Sequence, residues 1–267
     1  MSDFGARDPS AAIMRGVVLG IAPDARIVDI SHEVHKFAIR DGALLLWCAL
    51  PYLPVGFHVA VVDPGVGTAR LPVAIATGRG DVLIGPDNGL LPAAAARLGG
   101  VTTVHVLEAP EFRLPVVSTS FHGRDIFAPA AAHLARGLDV ARLGPALDPA
   151  TLVASPIREP AIRASELASS VVYVDTFGNV KLAGLRADLE AALGPVRAGE
   201  PLSIDLDRDG PGHTIRTTWQ ATFGEVAVSE TLLYEDSYGR LCIAASQADA
   251  AAKHGLVEDL AVTIRRP

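Results

Sequence analysis

The stretch Val59-Ala60-Val61-Val62-Asp63-Pro64-Gly65-Val66-Gly67-Thr68-Ala69-Arg70 sets four apolar residues directly against a polar, glycine-rich turn. That juxtaposition reads as a buried strand running into a loop, the place where an α/β sheet presents its functional groups. The same alternation continues on both sides. Asp8 and Pro9 read as an N-cap and first helical position for a helix over Ser10 to Ile21, stopped at Ala22-Pro23-Asp24. Ala25 to Ile30 reads as a short buried strand, and Ile39 to Leu50 as a helix ended by Pro51 and Pro54. Phe57 to Val62, Leu71 to Ala76, Val82 to Ile84 and Val101 to Leu107 read as strands, with helices at Leu91 to Leu98 and Ile126 to Arg136. This rhythm predicts an α/β domain over residues 1–148, its sheet covered by helices.

Beyond it the rhythm changes. Residues 149–165 contain Pro149, Pro156 and Pro160 without any period and read as a linker. Over residues 166–267 short strands are predicted at Ser170 to Val174, Pro201 to Leu206, His213 to Thr218, Thr231 to Tyr234, Arg240 to Ala244 and Leu260 to Arg265. Asp236-Ser237-Tyr238-Gly239 has the composition of a hairpin tip, and Gln247 to His254 is the one helical interruption. A smaller, β-rich, barrel-like domain is the expectation.

Composition narrows the function classes. A net charge of −7 and an aromatic content of 5% argue against a nucleic-acid partner, which needs a basic face and stacking rings. No apolar run approaches the roughly 18 to 20 residues of a membrane span. The opening MSDFGARDPS has neither the basic nor the apolar region of a secretory signal, so a cytoplasmic location is expected. Cys48 and Cys242 stand far apart and read as two buried free thiols, in keeping with a reducing compartment.

Three polar clusters follow apolar stretches: Ser2-Asp3-Phe4-Gly5 with Asp8 and Ser10 close behind, Asp63 to Arg70, and Ser120-Phe121-His122-Gly123-Arg124-Asp125. Each has a plain structural explanation. Asp8 suits a helix cap, Asp63 a turn before Pro-Gly, and His122 a surface histidine. Gly65-Val66-Gly67 lacks the third glycine of a dinucleotide loop, no Walker lysine follows it, and there is no GxSxG elbow. Asp3, Asp63, His122 and Asp125 include metal-binding residue types but no HExxH or HxH spacing, so no metal is expected.

The ordered combination is more specific than its parts. Asp3-Phe4-Gly5, Ile27-Val28-Asp29-Ile30-Ser31-His32, Val61 to Thr68, Gly85-Pro86-Asp87-Asn88-Gly89-Leu90-Leu91 and Phe121-His122-Gly123-Arg124-Asp125-Ile126-Phe127-Ala128-Pro129 occur in sequence, with Val174-Asp175-Thr176-Phe177-Gly178-Asn179-Val180 in the second half. This pattern, over almost the whole chain, resembles the S-adenosylmethionine hydroxide adenosyltransferase family, relatives of the fluorinases and chlorinases. The resemblance implies hydrolysis of S-adenosylmethionine to adenosine and methionine, without a cofactor. It also implies a homotrimer whose sites lie between the N-terminal domain of one subunit and the C-terminal domain of the next.

Carried over residue by residue, the resemblance makes Asp63, Arg70 and His122 the catalytic trio. It puts Asp3 on the ribose hydroxyls, Asp8 and Ser10 at the methionine end, and Phe37 beside the ribose or adenine. It also includes Asn88 among the substrate-binding residues, in a motif whose simpler role is a tight turn. From the second domain, Asn179 would read the adenine edge and Phe177 and Phe223 would enclose the ring, although both rings also suit an ordinary core. Asp175 would meet the substrate ammonium and Ser237 its carboxylate. The halide-using relatives differ where this chain has Asp63 and His122, and a carboxylate there would repel a halide.

Two departures stand out. Only Met1 precedes Ser2 where the family carries an apolar strand, which leads to the expectation that the natural start lies upstream. The tip reads Ser237-Tyr238-Gly239 where some relatives have a central arginine. Two rival readings are a non-catalytic S-adenosylmethionine or adenosine sensor, and a metal-dependent phosphohydrolase using the carboxylates and His122.

Overall fold

Residues 1–156 of the computed structural model, which describes residues 1–208 and 213–267, form one of two compact units. Its elements follow in the order α1 (Ser10–Ile21), α2 (Ile39–Ala49), β1 (Phe57–Val59), β2 (Pro72–Thr77), β3 (Val82–Pro86), α3 (Pro92–Arg97), β4 (Val101–Val106), α4 (Ala128–Ala135) and β5 (Ala146–Leu147). The strands order as β1-β3-β2-β4-β5, with β1 and β3 parallel and the remaining pairs antiparallel. Each residue of β3 is buried, which requires cover on both faces of the sheet. Helix α4 packs on β1 and α3 on β2. Val61, Ala74, Ile84, Phe127 and Ala130 share one core beneath the site.

The predicted strand at Ala25 to Ile30 is absent. That segment is irregular and largely exposed, with Val28 67% accessible. A strand forms only against partners, and the segment from Met1 to Gly5 pairs with residues beyond Ile30. Ser2 makes an isolated parallel bridge to Val61 and its N–H donates to the Ser31 carbonyl at 3.0 Å, while the Met1 ammonium donates to the Val59 carbonyl at 2.8 Å. The Gly5 N–H donates to the His32 carbonyl at 2.7 Å, and the Val34 N–H to the Ser2 carbonyl at 3.4 Å. The strand predicted to reach Val62 stops at Val59, with Val61 retained by the bridge.

The second unit, residues 157–267, contains β6 (Ala161–Arg163), β7 (Glu166–Val174), β8 (Val180–Leu185), α5 (Arg186–Leu193), β9 (Pro201–Leu206), β10 (Thr214–Trp219), β11 (Thr231–Glu235), β12 (Arg240–Ala245), α6 (Ala250–His254) and β13 (Ala261–Arg265). Seven strands run β13-β9-β10-β11-β12-β8-β7 and close through a β13–β7 pairing into a barrel, with β6 added beside β7. Strands β10 and β11 pair in parallel, whereas the other neighbouring pairs are antiparallel. The interior holds Leu167, Val171, Leu182, Ile204, Leu233, Ile243 and Ile264.

Two of these elements escape the sequence pattern. Lys181 breaks the apolar run of β8, yet it is buried, because its ammonium is paired with Asp236. Helix α5 begins where the Asp188 carboxylate reaches back to the Leu185 N–H at 2.8 Å, a capping contact just after a strand. Within residues 149–165 lie a single 3-10 turn at Pro149–Thr151 and β6, both too short to carry a period. The division between units falls after Pro156. Cys48 and Cys242 are both buried and outside any disulfide, and burial pushes the Cys242 thiol up to about 12. Among the described residues no helix is long and apolar enough to cross a membrane.

Candidate active site

The loop from Asp63 to Arg70 is folded by its own backbone. The Val66 N–H donates to the Asp63 carbonyl at 3.2 Å, the Thr68 N–H to Gly65 at 3.2 Å, and the Thr68 hydroxyl to the same Gly65 carbonyl at 2.7 Å. Gly67 has φ +77°, and a Cβ there would stand 2.3 Å from the Thr119 carbonyl oxygen. Only glycine allows both the left-handed turn and this approach. The approach brings the loop against the segment that carries His122. At the start of the loop, the Asn88 side-chain amide donates to the Val62 carbonyl at 2.8 Å, and its oxygen accepts from the Leu90 N–H at 3.2 Å. Asn88 thus fastens the backbone next to Asp63.

His122 stands at the head of a five-residue π-turn, Gly123–Phe127, that leads into α4. Such turns widen the helix by one residue and recur at functional sites. Gly123 lies close against Met14, where an added Cβ would meet the sulfur at 3.0 Å. The last residue of the turn, Phe127, is fully buried, and the Arg70 guanidinium lies 5.4 Å from its ring centroid.

These elements bring Asp63, Arg70 and His122 into direct contact. Arg70 Nε donates to both Asp63 oxygens, at 2.9 and 3.1 Å, and Nη2 closes a further ion-pair contact to Oδ2. The same Nη2 lies 2.9 Å from His122 Nδ1. A guanidinium has only donors, so Nδ1 accepts, and the neutral imidazole carries its hydrogen on Nε2. Burial and, after it, the Arg70 charge hold the His122 pKa below the ordinary histidine value, against the opposing pull of Asp63 and Asp125. His122 is therefore neutral near physiological pH.

Asp63 and His122, the two partners of Arg70, border a cavity of about 330 Å³ that is also lined by Asp3 and Phe37. Asp3 Oδ2 accepts the Phe37 N–H at 2.9 Å, and Phe37 itself has φ +65° and is 68% exposed. A bulky residue in the left-handed region is a strained position of the kind found at binding sites. Asp8 and Ser10 are brought to each other rather than to this cavity. Asp8 Oδ1 accepts the Ser10 N–H at 2.8 Å at the start of α1, whose N-cap is Pro9, and Asp8 lines a separate hollow with Gly5 and Glu33. Lys36, which borders the main cavity, carried no signal in the sequence.

The second unit gathers Asp175, Phe177, Asn179, Phe223 and Ser237 around one cup of about 680 Å³. Asp175 Oδ1 accepts from the N–H groups of Phe177 and Asn179, both at 2.9 Å, and Oδ2 accepts from the Asn179 amide nitrogen at 2.9 Å. Asn179, which lines the cup, also carries a side-chain oxygen that can accept. Neither phenylalanine belongs to the core: Phe177 is 78% exposed, and Phe223 stands 5.0 Å from the Tyr234 ring. Ser237 sits in the tip after β11, which Asp236 organises by accepting the N–H groups of Tyr238 and Arg240, both at 2.9 Å. Lys181 and Asp236, paired with each other, also line the cup. A lysine inside the run Val180-Lys181-Leu182-Ala183 was the signal for them.

Fold and site together define a class: a two-unit enzyme, α/β sheet followed by closed barrel, with an arginine locking a carboxylate and an imidazole beside a cavity. Residues 1–144 match the SAM hydroxide adenosyltransferase N-terminal domain, and residues 169–263 its C-terminal domain. The chain belongs to that family. It is 42% identical to an (R)-S-adenosyl-L-methionine hydrolase of Salinispora tropica, over 94% of this chain and 90% of the relative. A hydrolase of the same description from Thermus thermophilus is 38% identical over 99% and 97%. The crystal structure of an uncharacterized conserved protein from Thermotoga maritima is similar throughout, with a TM-score of 0.90 and 31% identity over 99% of this chain and 98% of that one.

Proposed function

We propose that this chain hydrolyses S-adenosylmethionine to adenosine and methionine by attack of water on the ribose C5′. The contact network Asp63–Arg70–His122, opening onto a cavity that also holds Asp3, is the observation that carries the reading. The sulfonium already makes methionine a neutral leaving group, so the chemistry lacks only a nucleophile. Water, with a pKa of about 15.7, supplies little hydroxide. Arg70 stabilises the charge that develops on the attacking oxygen. His122, with Nδ1 taken by Arg70, holds the water through its Nε2 hydrogen and has no free lone pair for the proton. The proton passes to Asp63, which retains acceptor capacity beyond its Arg70 contacts. The new O–C5′ bond forms as the C5′–S bond breaks, and sulfur keeps the electron pair.

In this reading Asp3 accepts from the ribose hydroxyls with the oxygen that Phe37 leaves free. The chain assembles as a homotrimer, and the barrel of a neighbouring subunit closes each site. Phe177 and Phe223 enclose adenine, the Asn179 oxygen accepts from its amino group, and Asp175 and Ser237 address the methionine ammonium and carboxylate. Asp8 and Ser10 act at the margin, through α1. No cofactor or metal takes part, and the two thiols outside any disulfide suit work in the cytoplasm.

Incubation with S-adenosylmethionine in oxygen-18 water tests the reaction: label is expected in the adenosine 5′-hydroxyl. Binding without adenosine release would instead identify a sensor. Activity abolished by exhaustive chelation, or a halide-dependent halo-deoxyadenosine product, would also overturn the proposal.

A further inference from the structure

The hydrolytic reading assigns no task to Asp125, although it is fully buried and lies three residues from His122. Resting on that reading, we propose that Asp125 is a positioning residue for His122, fastening the loop on which it stands and placing a negative charge near its ring. Four contacts converge on this residue from within one segment. Its Oδ2 accepts the Ser118 N–H at 2.8 Å, and its main-chain carbonyl accepts the Leu114 N–H at 2.9 Å. Its own N–H donates to the Phe121 carbonyl at 3.1 Å, and its Oδ1 receives Arg124 Nε at 2.6 Å. The loop 114–125 is thereby tied at both ends to a single side chain and its backbone.

The tie reaches the chemistry in three ways. Ser118 relays it, since its hydroxyl accepts the Phe121 N–H at 3.0 Å, one residue before His122. Thr119, between the two, is the residue whose carbonyl meets Gly67, so the loop carrying Arg70 rests on what Asp125 holds. Two residues further on, Phe127 supplies the ring beside Arg70. A single turn therefore sets the imidazole, anchors its loop and backs the guanidinium.

The carboxylate is ionised. Burial alone would raise its pKa, but hydrogen bonds from Arg124 and Ser118 and the Arg124 charge outweigh this and hold it below the usual range. The charged groups acting on His122 are Arg70, Asp63, Asp125 and Arg113; the two carboxylates favour the imidazolium and the two guanidiniums oppose it. Neutralising Asp125 removes one of the two favouring charges.

Asp125→Asn keeps the side chain's size and deletes its charge. With the full-length enzyme, kcat is expected to fall about tenfold, within the range that general acid–base and positioning groups command, while KM stays within about twofold. The acid limb of the kcat–pH profile is expected to move to lower pH. Asp125→Glu, which restores the charge, is expected to return the limb toward its original position. A residue that merely stabilised the fold would lower the melting temperature and leave the limb where it was. Should Asp125→Asn fail to fold, Arg124→Gln decides, because that guanidinium is partly exposed and its loss loosens the carboxylate without unburying it. A fall in kcat at constant KM supports the proposal, and wild-type kcat in that variant overturns it. An unchanged acid limb in folded Asp125→Asn overturns it as well. Wild-type protein that releases no adenosine condemns the hydrolytic reading itself, which keeps the two failures distinguishable.

Discussion

Phe127 backs Arg70 in the first unit and Phe177 lines the cup of the second, yet the first is wholly buried and the second 78% exposed. The contrast runs through the two units. In residues 1–156 the charged groups are committed to one another: Asp63 to Arg70, Arg70 to His122, and Phe127 closes the space beside them. In residues 157–267 the carboxylates at the cup each organise a turn, Asp175 holding residues 177 and 179 and Asp236, also paired with Lys181, holding the tip at 238 to 240, while Phe177 stands largely exposed. On the proposed reading, the first cavity develops charge and the second covers a flat apolar group, so that reaction and recognition are housed separately.

Three substitutions or measurements probe this separation. The largest effect is expected for Arg70→Ala, which leaves Asp63 and His122 without their common partner. Its kcat should fall about 100- to 1,000-fold, as on loss of a preorganised charge-stabilising donor, with little change in KM. A KM effect larger than the kcat effect in steady-state assays would mean that the first cavity binds more than it reacts. Phe177→Ala comes next and should behave in the opposite way. A stacked ring contributes about 0.5–1.5 kcal/mol beyond area, so KM is expected to rise up to about tenfold at nearly constant kcat. A fall confined to kcat would break the comparison. The smallest effect is the pH dependence. His122 must be neutral to accept from Arg70, and its pKa is depressed, so protonation and loss of activity occur as pH falls through a value below the ordinary one. The acid limb of kcat should therefore lie below about pH 6.5, the unperturbed histidine value. A limb above it would show that the carboxylates outweigh burial and Arg70.

The sequence made the helix at Ser10–Ile21 and the strand at Pro201–Leu206 fully legible, because apolar period and flanking prolines agreed there. It failed at Ala25 to Ile30, where local propensity favoured a strand but the neighbouring backbone pairs instead with Ser31, His32 and Val34. It failed again at β8, since a buried lysine is intelligible only once Asp236 is seen opposite. At the site, residue types named the trio, but no pattern could reveal that His122 would use Nδ1 toward Arg70. That orientation arises from the π-turn and from Thr119 meeting Gly67, contacts between segments some fifty positions apart. Asn88 and Asp175 carry a structural task that residue type alone does not reveal: Asn88 bonds the backbone of Val62 and Leu90, and Asp175 bonds the backbone of Phe177 and Asn179.

The parallel seam between β10 and β11 has a consequence for how such a barrel can diversify. Antiparallel neighbours can be joined by a tight hairpin, but a parallel pair obliges the chain to travel the length of the barrel before it pairs again. That return path contains residues 221–228 and with them Phe223, on a short 3-10 turn outside the ladder. Loop closure grows costlier only slowly with length, so this path can be lengthened, shortened or rewritten while the hydrogen-bonded wall stays intact. Evolution, or an engineer, has here a place to reshape the cup that Phe223 lines without re-solving the fold.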